Sequence, residues 1–457
     1  MPFNTWIFAI FFIFTLFVLI LLRRTKLWLF YLLAASYFFY GWLNPLYLIM
    51  IFYSTIVTYF TGIKLQGRHK NFWLGVSIAN SLLLLGFFKY ASFAAQNLNH
   101  IFALMNFAVS VPKPGFLLPV GISFYTFISM GYIIDVYRGK IASERNFIRL
   151  ATFVSFFPYL LAGPIERARN MLPQLSVPPV ITRVHITEGL SLFVVGLFKK
   201  IALADFLAIY VNKVYGDPTH YAGLAPLLAT YAFAWQIYFD FSGYTDMARG
   251  VARMMGYNVM LNFNNPYLST SLNEFWKRWH ISLSSWFKDY LYIPLGGNRH
   301  GRLNTYRNMI LTMLVAGLWH GAAWNFVIWG GLHAAGRTVT RELEATRIYA
   351  EKVPKIFKQF LIFHYVCLTW IFFRAETFDK AVTILKNIFT FTLTDPRFSI
   401  AALLFMGMVL FYQYIYESKF VKMLEFSAVK ISLMALMILY MVFFRTSGYE
   451  IFLYFRF

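Results

Sequence analysis

The side chains best able to do chemistry crowd into one stretch of the sequence. His320 sits in Trp319-His320-Gly321, followed by Trp324-Asn325, inside residues 308–336, where there is no Asp, Glu, Lys or Arg. An ionisable group at membrane depth is costly, so it usually faces a cavity or a partner and marks function. Gly317 and Gly321 flank it and leave backbone room for a close approach. Burial favours the neutral imidazole, the form a general base needs. The competing reading is a histidine hydrogen-bonded between helices as packing glue. The residues alone leave both standing.

A second polar cluster precedes it. Asn262 to Tyr267 reads as a loop, and Ser271 with Glu274 has capping-box spacing, which predicts a helix from Ser271 onward. On that helix Glu274 can pair with Arg278 and Trp276 with His280, each four residues apart. Lys277, Arg278, Lys288, Arg299, Arg302 and Arg307 make this the densest cationic stretch of the chain. Such charge suits a cytoplasmic loop lying on anionic headgroups, or a phosphate-rich ligand such as a nucleotide-bearing cofactor. His280 reads equally as a headgroup-contacting or a structural residue, and His333 is the next candidate after His320. Asp240 and Asp246 flank an apparent polar kink and either line a cavity or anchor a helix end. Asp135 with Arg138, and Glu166 with Arg167, read as ion pairs at a membrane boundary and in a loop. No His-Glu-x-x-His spacing, Gly-x-Ser-x-Gly elbow or phosphate-binding glycine loop is present, so no metal site is expected. Cys367 is the sole cysteine, which excludes an internal disulfide.

The elements that must position these groups are membrane helices. Apolar residues make up 59% of the 457 and charged residues 13%, against roughly 45–50% and 25% in soluble domains. A formal net charge of +22 on so apolar a chain fits a bilayer protein with basic cytoplasmic loops, and excludes a soluble globule or a disordered chain. Charge-free stretches long enough to cross, or nearly so, cover residues 2–22, 27–63 (broken at Asn44-Pro45), 71–88, 115–134, 218–239, 308–336, 359–373, 398–416 and 431–444. Shorter ones cover 150–165 and 189–198. The expectation is an all-α polytopic membrane protein of roughly ten to twelve transmembrane helices, forming one domain over 1–457. Basic clusters after the first and third spans put the N-terminus outside. The opening segment lacks a basic start and a small-residue cleavage pattern, and is read as a retained span.

Taken in order, several stretches resemble one family. They are 118–127, 134–139, 162–167, 240–248, 274–283 with its Trp279-His280-Ile281-Ser282-Leu283, 292–299 and 317–321 with its Leu318-Trp319-His320-Gly321, closed by Tyr454-Phe455-Arg456-Phe457. The chain is similar to the membrane-bound O-acyltransferases, in the bacterial alginate O-acetylation branch. The teichoic-acid D-alanylation branch shares the Trp-His pair and the aromatic ending. The resemblance implies helices around a central funnel, a deep catalytic histidine at His320 and a second at His280. Substrate contacts would fall to Trp319, Trp324, Asn325, Trp276, Lys277, Arg278 and Asp246. It also implies acetyl-CoA as a cytoplasmic donor with no bound cofactor, and a separate periplasmic or exported SGNH-hydrolase-like acetyltransferase partner. A polysaccharide acceptor, contact with membrane lipids, no nucleic-acid partner and residence in the bacterial inner membrane complete the expectation. His320 would be general base or transient acyl carrier, and His280 would orient or stabilise the thioester region. Peptidoglycan or another envelope glycan is the alternative acceptor. A transporter of a polymer or lipid intermediate is the alternative class, and it leaves the ordered motifs unexplained.

Overall fold

The computed structural model describes residues 1–115, 119–390, 392, 397–418, 420, 422, 426–443 and 452–453. Leu118 and the 454–457 ending lie outside them. Every regular element among the described residues is a helix. They gather into two compact units, residues 1–190 with 248–260, and residues 191–247 with 261 onward.

In the first unit the expected spans 2–22, 27–63 and 71–88 become α1 (Trp6–Leu22), α2 (Trp28–Gly41) with α3 (Tyr47–Lys64), and α4 (Lys70–Leu85). α4 runs on through a π-helical turn at Gly86–Tyr90 into α5 (Ala91–Leu104), which no expected span covered. The break at Asn44-Pro45 falls where proline chemistry puts it, and Asn44 Oδ1 accepts from Leu46 N at 3.0 Å. α6 (Ile122–Tyr137), α7 (Phe147–Ser155), α8 (Phe157–Leu160) and α9 (Ala168–Gln174) complete the set. Phe8, Phe11, Phe39 and Phe157 interlock as an aromatic core. Asp135 stands 3.8 Å from Lys140 Nζ. Glu166 is buried and does more than pair with its neighbour. Its oxygens accept from Arg167 N, Asn170 Nδ2 and Met260 N at 2.8, 3.0 and 2.9 Å, so it orders the loop around it.

α10 (Arg183–Phe198) passes through a π-helical turn, Lys199–Ala204, into α11 (Asp205–Gly216). α12 (Leu224–Met254) is 31 residues long and continues through Asp240 and Asp246, so neither carboxylate stands at a helix end. The second unit continues with α13 (Leu272–Arg278), α14 (Ile281–Phe287), α15 (Gly301–His320), α16 (Trp324–Glu344), α17 (Lys355–Arg374), α18 (Phe378–Ile388), α19 (Ile400–Tyr416) and α20 (Ser427–Phe443).

The stretch 308–336, expected as one charge-free run, is a hairpin of α15 and α16. Gly321 has extended backbone at φ −161°, which ends α15 at His320. The two helices meet through glycine. A Cβ on Gly317 would lie 2.2 Å from Phe326 O, and one on Gly330 2.4 Å from Met313 O. Small residues thus let the backbones touch, as in close-packed membrane helices. The close approach that His320's glycines were expected to allow is made by this protein's own helix α16.

Among the described residues three helical stretches, Tyr47–Lys64, Lys70–Leu104 and Lys355–Arg374, are long and apolar enough to cross a bilayer, and five shorter apolar helices (α1, α2, α6, α19 and α20) accompany them. Together with large apolar side chains left exposed along α1, α3 and α20, they make this a membrane-embedded helical protein.

Candidate functional site

The site lies within the second unit. Ser271 caps α13 as the spacing predicts, its Oγ accepting from Glu274 N at 3.2 Å. Glu274 Oε2 reaches back to Thr270 N and Oγ1 at 2.8 and 2.7 Å, one residue earlier than a capping box requires. Glu274 also pairs with Arg278 at 2.8 Å. Burial alone would raise the Glu274 pKa, but the bonds from Thr270 and the Arg278 guanidinium hold it below the usual carboxylate value.

α13 ends at Arg278, before His280. Trp279 turns to extended backbone and His280 adopts φ 44°, a left-handed conformation that costs a non-glycine residue roughly 1–2 kcal/mol. Trp276 and His280 therefore share no helical face. Their expected pairing does not form, and they face different partners.

His280 is fully buried. Asn262 Oδ1 accepts from Ser282 N at 3.2 Å and from Ser282 Oγ at 2.9 Å. Because a backbone N–H can only donate, that atom is the amide oxygen. The His280 Nδ1 lying 3.1 Å from it is then the protonated nitrogen, and Nε2 carries the lone pair. Two backbone bonds, Ile281 N to Asn262 O at 2.9 Å and Asn264 N to Arg278 O at 2.9 Å, hold the two segments together. Phe241 meets the ring edge-on at 4.7 Å. Asn262 was readable in the sequence only as part of a turn. Its role depends on a contact spanning 18 residues, which no local pattern signals.

His320 is the last residue of α15 and is 4% exposed. Trp319, Trp329 and Phe373 box it edge-on at ring separations of 5.0, 5.0 and 5.3 Å. Trp319 also meets His280 at 6.1 Å, so one indole joins both histidines. Such edge-on ring pairs are favourable. The indole N–H groups of Trp276 and Trp329 are buried with no acceptor among the described residues. Buried polar groups are nearly always satisfied, so donors left over beside a histidine suit a site that receives an acceptor group.

His333 has a different character. Thr369 Oγ1 donates to Val366 O at 2.8 Å and lies 3.0 Å from His333 Nε2, so Nε2–H donates to the hydroxyl across the α16–α17 interface. Its ring packs on Trp276 and Trp329 at 5.1 and 4.7 Å. His333 is helix glue. Thr369→Val is expected to lower stability by about 0.5–1.5 kcal/mol without changing turnover, read by thermal unfolding in detergent beside an activity assay. A fall in turnover at unchanged stability would place His333 in the chemistry.

The other expected contacts divide. Trp276 packs on Trp329 at 5.7 Å and so belongs to the second layer around His320. Asn325 is buried but spends its amide on Ala375 O at 2.9 Å, tying the start of α16 to the end of α17. Trp324, the first residue of α16, is 59% exposed, unlike the buried rings around His320. Lys277 is exposed. Arg278 is held by Glu274 and Glu417, leaving it a poor candidate for a ligand's phosphate. Asp246 pairs with Lys199 at 2.6 Å. Asp240 and Asp205 share the buried Lys200 ammonium, 2.7 Å from each, and Asp240 Oδ2 accepts from Leu453 N at 2.8 Å. These carboxylates are structural anchors. No group of three or more metal-binding side chains is present among the described residues.

Comparison with known proteins adds a second line of observation. The model of the membrane-bound O-acyltransferase family matches residues 139–373. The probable alginate O-acetylase AlgI of Azotobacter vinelandii is 42% identical over 381 residues, covering 80% of this chain and 74% of that protein. The peptidoglycan O-acetyltransferase of Helicobacter pylori is 36% identical over 393 residues, covering 79% and 73%. The teichoic acid D-alanyltransferase of Bacillus subtilis is 29% identical over 277 residues, covering 57% and 69%. The matched family segment contains His280, His320 and every residue of the box around them.

Proposed function

Because the chain belongs to the membrane-bound O-acyltransferase family, we propose that it acetylates an extracytoplasmic polysaccharide, with His320 as the reacting imidazole. The enzyme is an acyltransferase. The observation that carries the site assignment is that His320 and His280, distant in sequence and both buried, each contact the ring of Trp319.

Acetyl-CoA is the donor in this reading and enters from the basic, cytoplasmic side. His320 takes the proton of an attacking hydroxyl as its oxygen adds to the thioester carbonyl. The carbon–sulfur bond then breaks and the thiolate recovers the proton. Transient acetylation of the imidazole itself is the variant of the same step. His280, its Nδ1–H fixed by Asn262 and its ring against the shared indole, orders the region of the thioester. The buried indole N–H of Trp329, beside His320, would meet the developing oxyanion.

The acceptor is alginate or a related exopolysaccharide, in keeping with the names of the alginate relatives. Peptidoglycan is the second reading, favoured by the Helicobacter pylori relative. A periplasmic or exported SGNH-hydrolase-like partner would place the acetyl group on the sugar, and the chain would sit in the bacterial inner membrane with ten to twelve crossings. The test is gene deletion and complementation, with ester acetyl content of exopolysaccharide and of peptidoglycan measured by NMR. Loss of acetyl from one polymer at unchanged export supports the reading and identifies the acceptor. Unchanged acetylation with blocked export would replace it with transport.

A further inference from the structure

α16 carries a regular stripe. Asn325, Trp329, His333 and Arg337 stand four residues apart and so lie on one face. Trp329 borders His320 and His333 borders Trp276, while Arg337 lies about 12 Å from Trp329 along the helix axis. Arg337 is the first charge after the 308–336 run. Its Nη1 is 3.6 Å from Met313 Sδ, a weak acceptor. Its Nε is buried with no hydrogen-bond partner, and no carboxylate lies within ion-pair distance of it among the described residues. The nearby Glu342 is engaged by Tyr306 and Arg302. The helix end on which Arg337 stands is also the basic one, with exposed Arg341 one turn further and Arg302 and Arg307 at the start of α15.

A half-buried guanidinium without an anion is an expensive arrangement unless an anion arrives. Its planar fork suits a phosphate. We propose that Arg337 binds a phosphate group of the acyl donor at the cytoplasmic end of this stripe. The donor's thioester would then reach along the α16 face to His320, a distance an extended pantetheine arm spans. The assignment of the phosphate to a donor rests on the reading that acetyl-CoA serves the His320 site. Phosphate at Arg337 has a second possible source, an anionic lipid headgroup, and the test separates the two.

The experiment uses the full chain purified in detergent, as wild type, Arg337→Gln and Arg337→Lys. Acetyl transfer is followed with acetyl-CoA and with acetyl-pantetheine, which lacks the phosphates. Binding of adenosine 3′,5′-bisphosphate and of phosphatidylglycerol is followed by calorimetry. Arg337→Gln is expected to raise the KM for acetyl-CoA by about ten- to a hundredfold, with kcat and the acetyl-pantetheine KM unchanged and bisphosphate binding lost. Arg337→Lys should recover part of the affinity. An equal loss for both donors would mean that Arg337 only supports the hairpin, and an unchanged acetyl-CoA KM would also overturn the proposal. Arg337-dependent binding of the lipid but not of the bisphosphate would assign the site to a headgroup and overturn the donor role. If wild type transfers no acetyl from acetyl-CoA yet binds the bisphosphate through Arg337, the donor reading fails while the phosphate site stands.

Discussion

His320→Ala is expected to abolish polymer acetylation while the protein still inserts and folds. A positioned base contributes about 10²–10⁴-fold, and no other imidazole can replace it. His333 is committed to Thr369, and His280 is held by Asn262. Alanine would also open a void inside the box of Trp319, Trp329 and Phe373, so a loss of stability could be mistaken for a loss of chemistry. His320→Phe removes that ambiguity. A phenyl ring keeps the edge-on contacts and removes both ring nitrogens. Both variants should be inactive, with the phenylalanine form unfolding near the wild-type temperature. Ester acetyl measured by NMR on the polymer, beside detergent-solubilised thermal unfolding, reads both quantities. Near-normal acetylation by either variant would remove His320 from the mechanism.

The largest effect on stability is expected at Lys200. Its ammonium is buried between Asp205 and Asp240 at 2.7 Å from each. Lys200→Met keeps much of the side-chain volume but leaves two carboxylates facing one another in a low-dielectric interior. Breaking a buried pair in this way costs about 3–5 kcal/mol. Asp240 also accepts from Leu453 N, so the damage should extend to Leu453 and to Phe452, whose ring packs on Tyr244 and Phe241 at 4.5 and 5.9 Å. Adding Asp205→Asn and Asp240→Asn to Lys200→Met should recover part of the stability, because neutral amides need no cation. Thermal unfolding of the single and triple variants measures this. An unchanged midpoint for Lys200→Met would mean that water, rather than the ammonium, solvates the two carboxylates.

Much of the architecture was legible because bilayer physics writes it plainly. The helices in the apolar runs of the first 64 residues, the break at Asn44-Pro45 and the cap at Ser271 all follow from local rules, and each is found where those rules put it. The misplaced features depend on tertiary contact. A run without charges gives no sign that α15 stops at Gly321 and that α16 folds back on it through Gly317 and Gly330. Helical spacing put Trp276 beside His280, but the chain leaves the helix at Trp279 to reach Asn262, a partner that composition cannot reveal. The histidines and the Glu274–Arg278 pair were legible, whereas the pairing of Arg278 with Glu417 and of Asp246 with Lys199 was not, since those partners come from distant elements. Arg337 had a faint signal, standing four residues after His333 and eight after Trp329. It was hidden because the densest cationic stretch lay earlier in the chain.

The central claim is that His320 works on a thioester inside the aromatic box. The most direct measurement is release of free thiol from acetyl-CoA by the purified chain, followed with a thiol-reactive dye in wild type and His320→Phe. The expected result is saturable, wild-type-dependent thiol release that the variant reduces by at least about a hundredfold. Equal release by both proteins would contradict it.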